Sequence, residues 1–291
     1  MKIGFKTVPL GVDWPTLLAT WELGDQLEGF DSGWLNDHFV ARHGREGQHE
    51  AMTAIAAIAS RTRRLTLGHA VLGNAYRHPV LLAKMVASLD LISEGRFVLG
   101  LGAGVQNDAE RFMYGWPTTS IGERTAQLEE TVQIVKGLWR QPEGYAFTGR
   151  HYVLEDARLD PACVTPGGPP VWLGTRGRQR GLRIVAKYAD GLAATSDGWT
   201  PEEAPNLVTL NDLLDVLRRH CDEVQRDFAS IEISVRILTR QRSPADLIAE
   251  AVGVAGAGAN HLILSFAASS GPAELERLAV EVVGPLREQI G

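Results

Sequence analysis

Residues 65–104, LTLGHAVLGNAYRHPVLLAKMVASLDLISEGRFVLGLGAG, read as strand, helix, strand. The runs 65–73 and 96–104 are apolar without alternation, the pattern of strands covered on both faces. Between them, Pro79 opens a helix whose Leu81, Leu82, Met85, Leu89 and Ile92 recur at helical spacing. Gly95 supplies the left-handed position that ends it. Two parallel strands joined by a crossover helix form one βαβ unit, and the rest of the chain is tested for repeats of it.

Upstream, residues 2–7 read as a first strand and 14–28 as a helix, capped by Asp13 with Pro15 in its first turn. A turn at 29–31 leads to a second strand over 32–37, and 49–63 is an Ala-rich helix. Downstream comes an amphipathic fourth helix at 121–140 with Leu128, Val132, Val135 and Leu138 on one face. Residues 141–169 hold Gly, Pro and aromatic punctuation and read as an excursion with a small hairpin at 145–153. The repeat then resumes: strands at 170–175, 191–196, 231–239 and 261–267, and helices at 180–189, 206–228, 244–257 and 272–289. Eight strands, each followed by a helix, predict an α/β chain folded as a (β/α)8 TIM barrel with an excursion after helix four, one domain over 1–291. An open doubly wound sheet would need a switch point that the pattern does not offer.

Composition narrows the function classes. A net charge of −6 gives no global attraction to nucleic acid or to anionic membranes. Cys163 and Cys221 have no metal or redox spacing, and the 8 histidines form no HxH or HExxH pair, so no metal site is expected. With no apolar run of membrane-spanning length and no signal-like leader, a cytoplasmic protein is expected.

In a barrel, chemistry collects where strands give way to helices. After strand two stand Asn36, Asp37 and His38. His38 can supply a proton at neutral pH, with Asp37 or a backbone carbonyl fixing its tautomer; the plain alternative is a turn cap and a surface histidine. After strand four, Gly102 and Gly104 permit a flat ring or a neighbouring loop to approach the backbone closely. After strand five, GTRGRQRGLR places Gly174, Thr175, Arg176 and Gly177 ahead of a helix start, with Arg178, Arg180 and Arg183 behind them. Backbone N–H groups and cations there suit a phosphate, although a basic solvated face has the same composition.

Five stretches, 29–39, 76–104, 123–139, 147–152 and 169–191, closely resemble the bacterial-luciferase-like flavin superfamily, and within it the deazaflavin-dependent oxidoreductases. The resemblance implies a TIM barrel and a non-prolyl cis bulge in strand three at Ala70-Val71, running into Leu72, beneath an isoalloxazine-like ring. It also implies a cofactor phosphate at 174–177, further contacts at Ala194 and Thr195, and His38 beside the reactive ring carbon. Sugar-phosphate dehydrogenases of this superfamily carry a glutamate where this chain has Val105, which leaves His38 ahead of Asp108 and Glu110 as proton donor.

The implied activity is hydride transfer between coenzyme F420 and a small organic substrate with an activated C=C, C=N or C=O bond. Two alternatives stand beside it: an FMN-dependent monooxygenase, and a flavin-binding protein without turnover. Arg42, Arg45 and Arg178 would suit a longer acidic coenzyme tail. Expected partners are the small-molecule substrate and a reductase that supplies reduced cofactor, with no nucleic acid and no membrane. Apolar and small residues on helices two and three suit either a homodimer face, as in relatives, or the barrel's own packing.

Overall fold

The computed structural model describes residues 1–40, 47–104, 113–116, 119–195 and 207–290, without the side chains of 195 and 207–209. Its parallel strands are β1 (Lys2–Val8), β2 (Ser32–Leu35), β3 (Thr66–His69), β4 (Leu72–Gly73), β5 (Phe97–Gly102), β8 (Val171–Gly174), β9 (Gly191–Thr195), β10 (Glu232–Leu238) and β11 (His261–Ala267). β6 (Tyr145–Thr148) and β7 (Val153–Ala157) form a separate antiparallel hairpin. The parallel strands run in the order β3-β2-β1-β11-β10-β9-β8-β5-β4, and β3 also pairs with β5, which closes the sheet. β3 and β4 are two halves of one barrel position, so eight positions complete the expected barrel.

The helices are α1 (Trp14–Gln26), α2 (Ala51–Arg61), α3 (Pro79–Ile92), α4 (Ile121–Arg140), α5 (Arg180–Tyr188), α6 (Leu207–Glu223), α7 (Pro244–Gly256), α8 (Gly271–Leu278) and α9 (Gly284–Ile290). Their starts follow from short polar caps. The Asp13 side chain accepts from Thr16 N, Ser120 from Glu123 N and Ser243 from Asp246 N. α3 ends with Glu94 and Gly95 both left-handed and Gly95 N bonded to Asp90 O at 2.9 Å.

Alternation along the strands separates two cores. Outward residues such as Ile3, Phe5, Leu67, Leu99 and Leu264 pack under the helices in the larger core. Inward, Trp34, Val98, Trp172 and Ile263 fill the barrel, with Ala70 and Ala193 against them. Trp34 and Trp172 stack at 4.5 Å and 22°, and His261 stands edge-on to both. Below that stack, His261 bridges the Glu232 carboxylate (2.9 Å) and the Ser32 hydroxyl (2.7 Å), and Trp34 Nε1 donates to Ser32 Oγ (2.8 Å). The barrel is thus plugged from its lower end to its middle, and its open end is the C-terminal mouth.

One element shows the bulge that the resemblance implies, and two others differ from the expected pattern. The third strand breaks, because Gly68 pairs with Val98 while Leu72 pairs with Leu101: four steps on one strand against three on the other insert one extra residue, a bulge. The last helix splits into α8, a π-type turn (Ala279–Val283) and α9, since Pro285 has no N–H to continue the ladder. The hairpin after α4 is longer than expected and is tied to that helix: Glu130 accepts from the backbone N–H groups of Arg150, His151 and Tyr152 at 2.8, 2.9 and 3.1 Å. No helix among the described residues is long and apolar enough to cross a membrane.

Candidate active site

At the end of β2 the chain turns with Asn36 and Asp37 buried and His38 half-buried. The Asp37 carboxylate is engaged by three donors: Gly73 N at 2.9 Å, and the two terminal nitrogens of Arg77 at 2.7 and 3.0 Å. Arg77 also donates to Glu50, which caps α2 by accepting from Met52 N and Thr53 N. Asp37 therefore ties the β2 turn to the loop after β4 and, through Arg77, to the start of α2. It works as a brace for the segment that carries His38, where sequence had read it as a tautomer-fixing partner.

The bulge supplies the floor of the mouth. The Ala70-Val71 peptide is cis, at the position the resemblance implied. Ala70 lies against the Trp34-Trp172 layer, and its carbonyl accepts from the Lys6 ammonium, which reaches in from β1. Val71 nests between two glycines. A methyl group on Gly102 would lie 2.9 Å from Val71 Cγ2, and one on Gly174 would lie 3.0 and 3.1 Å from its two Cγ atoms. Both are closer than side-chain carbons pack, so the glycines that end β5 and β8 make room for Val71. The sequence reading had assigned that room to a ring or loop; here a side chain of the bulge fills it.

Across the mouth, Gly174, Thr175, Arg176 and Gly177 lead into α5. The Thr175 hydroxyl accepts from Gly177 N at 3.1 Å and is pressed against Gly181, where any side chain would collide with it. α5 has no side-chain cap, and Leu182 N in its first turn bonds back to Gly177 O at 2.9 Å. Of the arginines that follow, Arg178 pairs with Asp212 on α6 at 3.4 Å and Arg180 reaches Gly122 O at 3.3 Å, so both lean on neighbouring helices. Arg176 and Arg183 are exposed.

Two expected contact residues turn their side chains elsewhere. Leu72 and Ala194 belong to the outer core, because alternation directs them under the helices; Gly73 and Ala193 are their inward neighbours. Gly104 is left-handed (φ 82°) at the rim, and the Thr195 backbone ends β9. Arg42, Arg45, Val105, Asp108 and Glu110 lie outside the described residues.

Sequence reasoning missed Lys6 and Ser265, and it placed Asn74 and Arg77 at the strand-three rim without giving either a role. Each is a single polar residue in or just after an apolar run, and only the strand register shows which of them turn inward. Three side-chain oxygens of this region are buried without a hydrogen bond: Asn36 Oδ1, Asn74 Oδ1 and Ser265 Oγ. Buried polar atoms are normally paired, so orphans around a mouth mark where a ligand's polar edge would go. With Val71 as a flat apolar floor and the 174–177 loop to one side, the residues fit a planar group with hydrogen-bonding edges and an anionic tail. Among the described residues no cluster of His, Cys, Asp and Glu could hold a metal ion.

Burial sets the charge states around the brace. Burial pushes the Glu50 carboxyl up, but bonds from Thr53, Arg77 and Met52 outweigh it and hold the group down at about 2. The same pairs outweigh burial at Arg77 and keep its guanidinium charged. His69, enclosed beneath α2 and bonded through Nε2 to Ala51 O at 3.2 Å, is pushed down to about 4 by burial.

Comparison with known proteins gives three results. A family model described as luciferase-like monooxygenase matches residues 13–278. An F420-dependent glucose-6-phosphate dehydrogenase of Amycolatopsis mediterranei is 33% identical over 205 residues, which cover 67% of this chain and 58% of that protein. The chain thus spans less than two-thirds of the length of that relative. Two solved structures share the fold across the whole chain. An F420-dependent secondary alcohol dehydrogenase in complex with an F420-acetone adduct has a TM-score of 0.80 at 17% identity, covering 98% of this chain and 97% of its own. The coenzyme F420-dependent tetrahydromethanopterin reductase of Methanopyrus kandleri has a TM-score of 0.76 at 15% identity, covering 98% and 99%.

Proposed function

The chain belongs to the luciferase-like monooxygenase family, and from that premise we propose that it is an oxidoreductase that uses coenzyme F420 to transfer hydride to or from a small organic substrate with an activated C=C, C=N or C=O bond. The observation that carries the reading is the floor of the mouth, Val71 set between Gly102 and Gly174, together with the unpaired buried oxygens of Asn36, Asn74 and Ser265 at or near the C-terminal ends of β2, β4 and β11. Support also comes from the curated relative, which is named for that coenzyme. Its named substrate is not carried over, because Val105 stands where sugar-phosphate dehydrogenases of the superfamily place a glutamate.

When bound, the coenzyme supplies the hydride chemistry. The chain's own share is binding, orientation and a proton. Val71 backs the ring, and the asparagine and serine oxygens accept from its edge. The loop at 174–177 and the first turn of α5 hold the anionic tail through backbone N–H groups. His38, carried on the segment that Asp37 and Arg77 brace, holds the proton that accompanies hydride transfer. Residues 1–291 act as one catalytic domain in the cytoplasm, as a homodimer served by a separate reductase.

The test is a tryptophan-fluorescence titration of purified protein with F420 and, separately, with FMN, each oxidised and reduced. Of the 7 tryptophans, Trp34 and Trp172 lie directly under Ala70, so a ligand on the floor changes their emission. Saturable quenching by F420 at concentrations where FMN gives none is the expected result. Preference for reduced FMN would assign a monooxygenase instead, and binding of neither would refute the reading.

A further inference from the structure

Beside His38 the mouth is walled by aromatic rings. Phe39 lies 5.2 Å from Tyr76, 4.9 Å from Trp116 and 5.7 Å from Tyr114, centroid to centroid. Tyr76 and Trp116 are 4.5 Å apart, and Tyr114 and Trp116 are 5.2 Å apart. The cluster faces the barrel mouth for a geometric reason. Leu72 points outward, so the missing side chain of Gly73 would point inward, and the Tyr76 ring occupies that space, within 2.7 Å of where a methyl group would stand. Phe39 follows His38 directly, so the chain segment that carries His38 also carries a ring of this wall. Tyr114 is 46% exposed and its neighbour Met113 55%, a costly display of apolar surface unless something covers it. Among the described residues of this side, the Arg77 guanidinium is committed to Asp37 and Glu50.

We infer that this wall is the substrate's own subsite, and that the substrate is a planar, largely apolar conjugated carbonyl compound bearing an aryl group next to the acceptor bond. The inference rests on the coenzyme reading above and adds the substrate class to it. Ring faces and edges at these separations accept a further flat ring by offset or edge contact. A polyhydroxylated anion pressed against the faces of these rings would lose hydration that the faces themselves do not replace. The curated relative's sugar-phosphate chemistry therefore does not suit this side of the mouth.

The experiment uses two enones that differ only in phenyl against methyl, benzylideneacetone and ethylideneacetone. Their binding to the F420-loaded protein is measured by calorimetry, after the F420 affinity of wild type, Tyr114→Ala and Trp116→Ala has been measured alone. The aryl enone should bind at least about tenfold tighter than its methyl counterpart. Either substitution should reduce that ratio to about twofold or less while F420 affinity shifts by less than about twofold. Equal affinities for the two enones overturn the inference. So does a loss of F420 affinity as large as the loss of enone affinity, which would assign the rings to the coenzyme, or glucose 6-phosphate binding more tightly than either enone. Failure of wild type to bind F420 sinks the coenzyme reading itself; an absent aryl preference in protein that binds F420 sinks only the substrate class. Because Tyr114 is an exposed side chain, its truncation keeps the fold and hence the comparison.

Discussion

Arg77 holds both carboxylate oxygens of Asp37, Nη1 to Oδ2 at 2.7 Å and Nη2 to Oδ1 at 3.0 Å, with 8% and 2% of the two side chains exposed. Such a planar fork has no substitute among the other side chains. Replacing Arg77 by Met would leave Asp37 buried with its charge uncompensated and Glu50 without its one cationic partner among the described residues. The expected loss is about 3–5 kcal/mol of stability in urea unfolding, larger than for any exposed ion pair of this chain. A loss below about 1 kcal/mol would mean that the pair does not brace the mouth.

Acid should unfold the protein in two separable stages. The folded His69 titrates at about 4 against 6.5 for the free side chain, so the unfolded chain takes up a proton first as pH falls. Its contribution is complete above 6.5 and is lost as pH falls toward 4, up to about 3 kcal/mol. The physical cause is visible: Nε2 is bonded to Ala51 O, and Nδ1 is buried with no partner to receive a second proton. Glu50, held at about 2 against 4.5, contributes fully above 4.5 and loses that contribution as pH falls further toward 2. Melting temperatures recorded from neutral pH down to pH 3 should fall in both windows, and His69→Gln should flatten only the first. An unchanged slope in that variant would show that His69 is not the titrating group.

How much of this was legible in the sequence follows from what sequence encodes. Helix α4 was readable to both ends because Ser120 caps it and its apolar period is unbroken over 20 residues. The bulge was readable only by resemblance, since LGHAVLG has no polar–apolar alternation whose break would show an extra residue. His38 and Asp37 could be found as a polar pair at a strand end, but the use of Asp37 could not, because Arg77 lies 40 residues away and meets it through barrel closure. Leu72 and Ala194 were misread for the same reason: a one-residue shift in register exchanges the mouth for the outer core.

Ser32 is the joint of the relay beneath the tryptophan stack. The Glu232 carboxylate can only accept, so His261 donates to it from Nδ1 and receives the Ser32 proton at Nε2, while Ser32 Oγ accepts from Trp34 Nε1. Ser32→Ala strips a partner from His261 Nε2 and from Trp34 Nε1 at once. Each unpaired buried group costs about 1–3 kcal/mol, and the melting temperature should drop accordingly. F420 affinity should not follow, because the relay lies below Trp34 and the floor lies above it. A variant that binds F420 poorly while melting like wild type would reverse that assignment.

His38→Gln separates proton supply from binding. Glutamine keeps a hydrogen-bonding end of similar reach but cannot carry a transferable proton near neutral pH. Single-turnover hydride transfer should slow by about 100-fold or more, with F420 affinity unchanged. Equal rates for the two proteins would remove His38 from the chemistry.

Val71 and Gly174 offer the sharpest test of the floor, because the argument concerns their coupling. Gly174→Ala places a methyl group 3.0 Å from Val71 Cγ2, so Val71 must move toward the ligand or β8 must retreat. Either displacement should weaken F420 binding by about tenfold or more, with stability falling by about 1–3 kcal/mol as in other overpacked sites. Val71→Ala alone removes the floor and also weakens binding. In the double variant the new methyl group enters the space that Val71 vacated, so the two losses should not add; the shortfall is the coupling of two residues in contact. Strict additivity would mean that Gly174 meets the ligand directly, in which case the floor is made by the backbone and not by Val71.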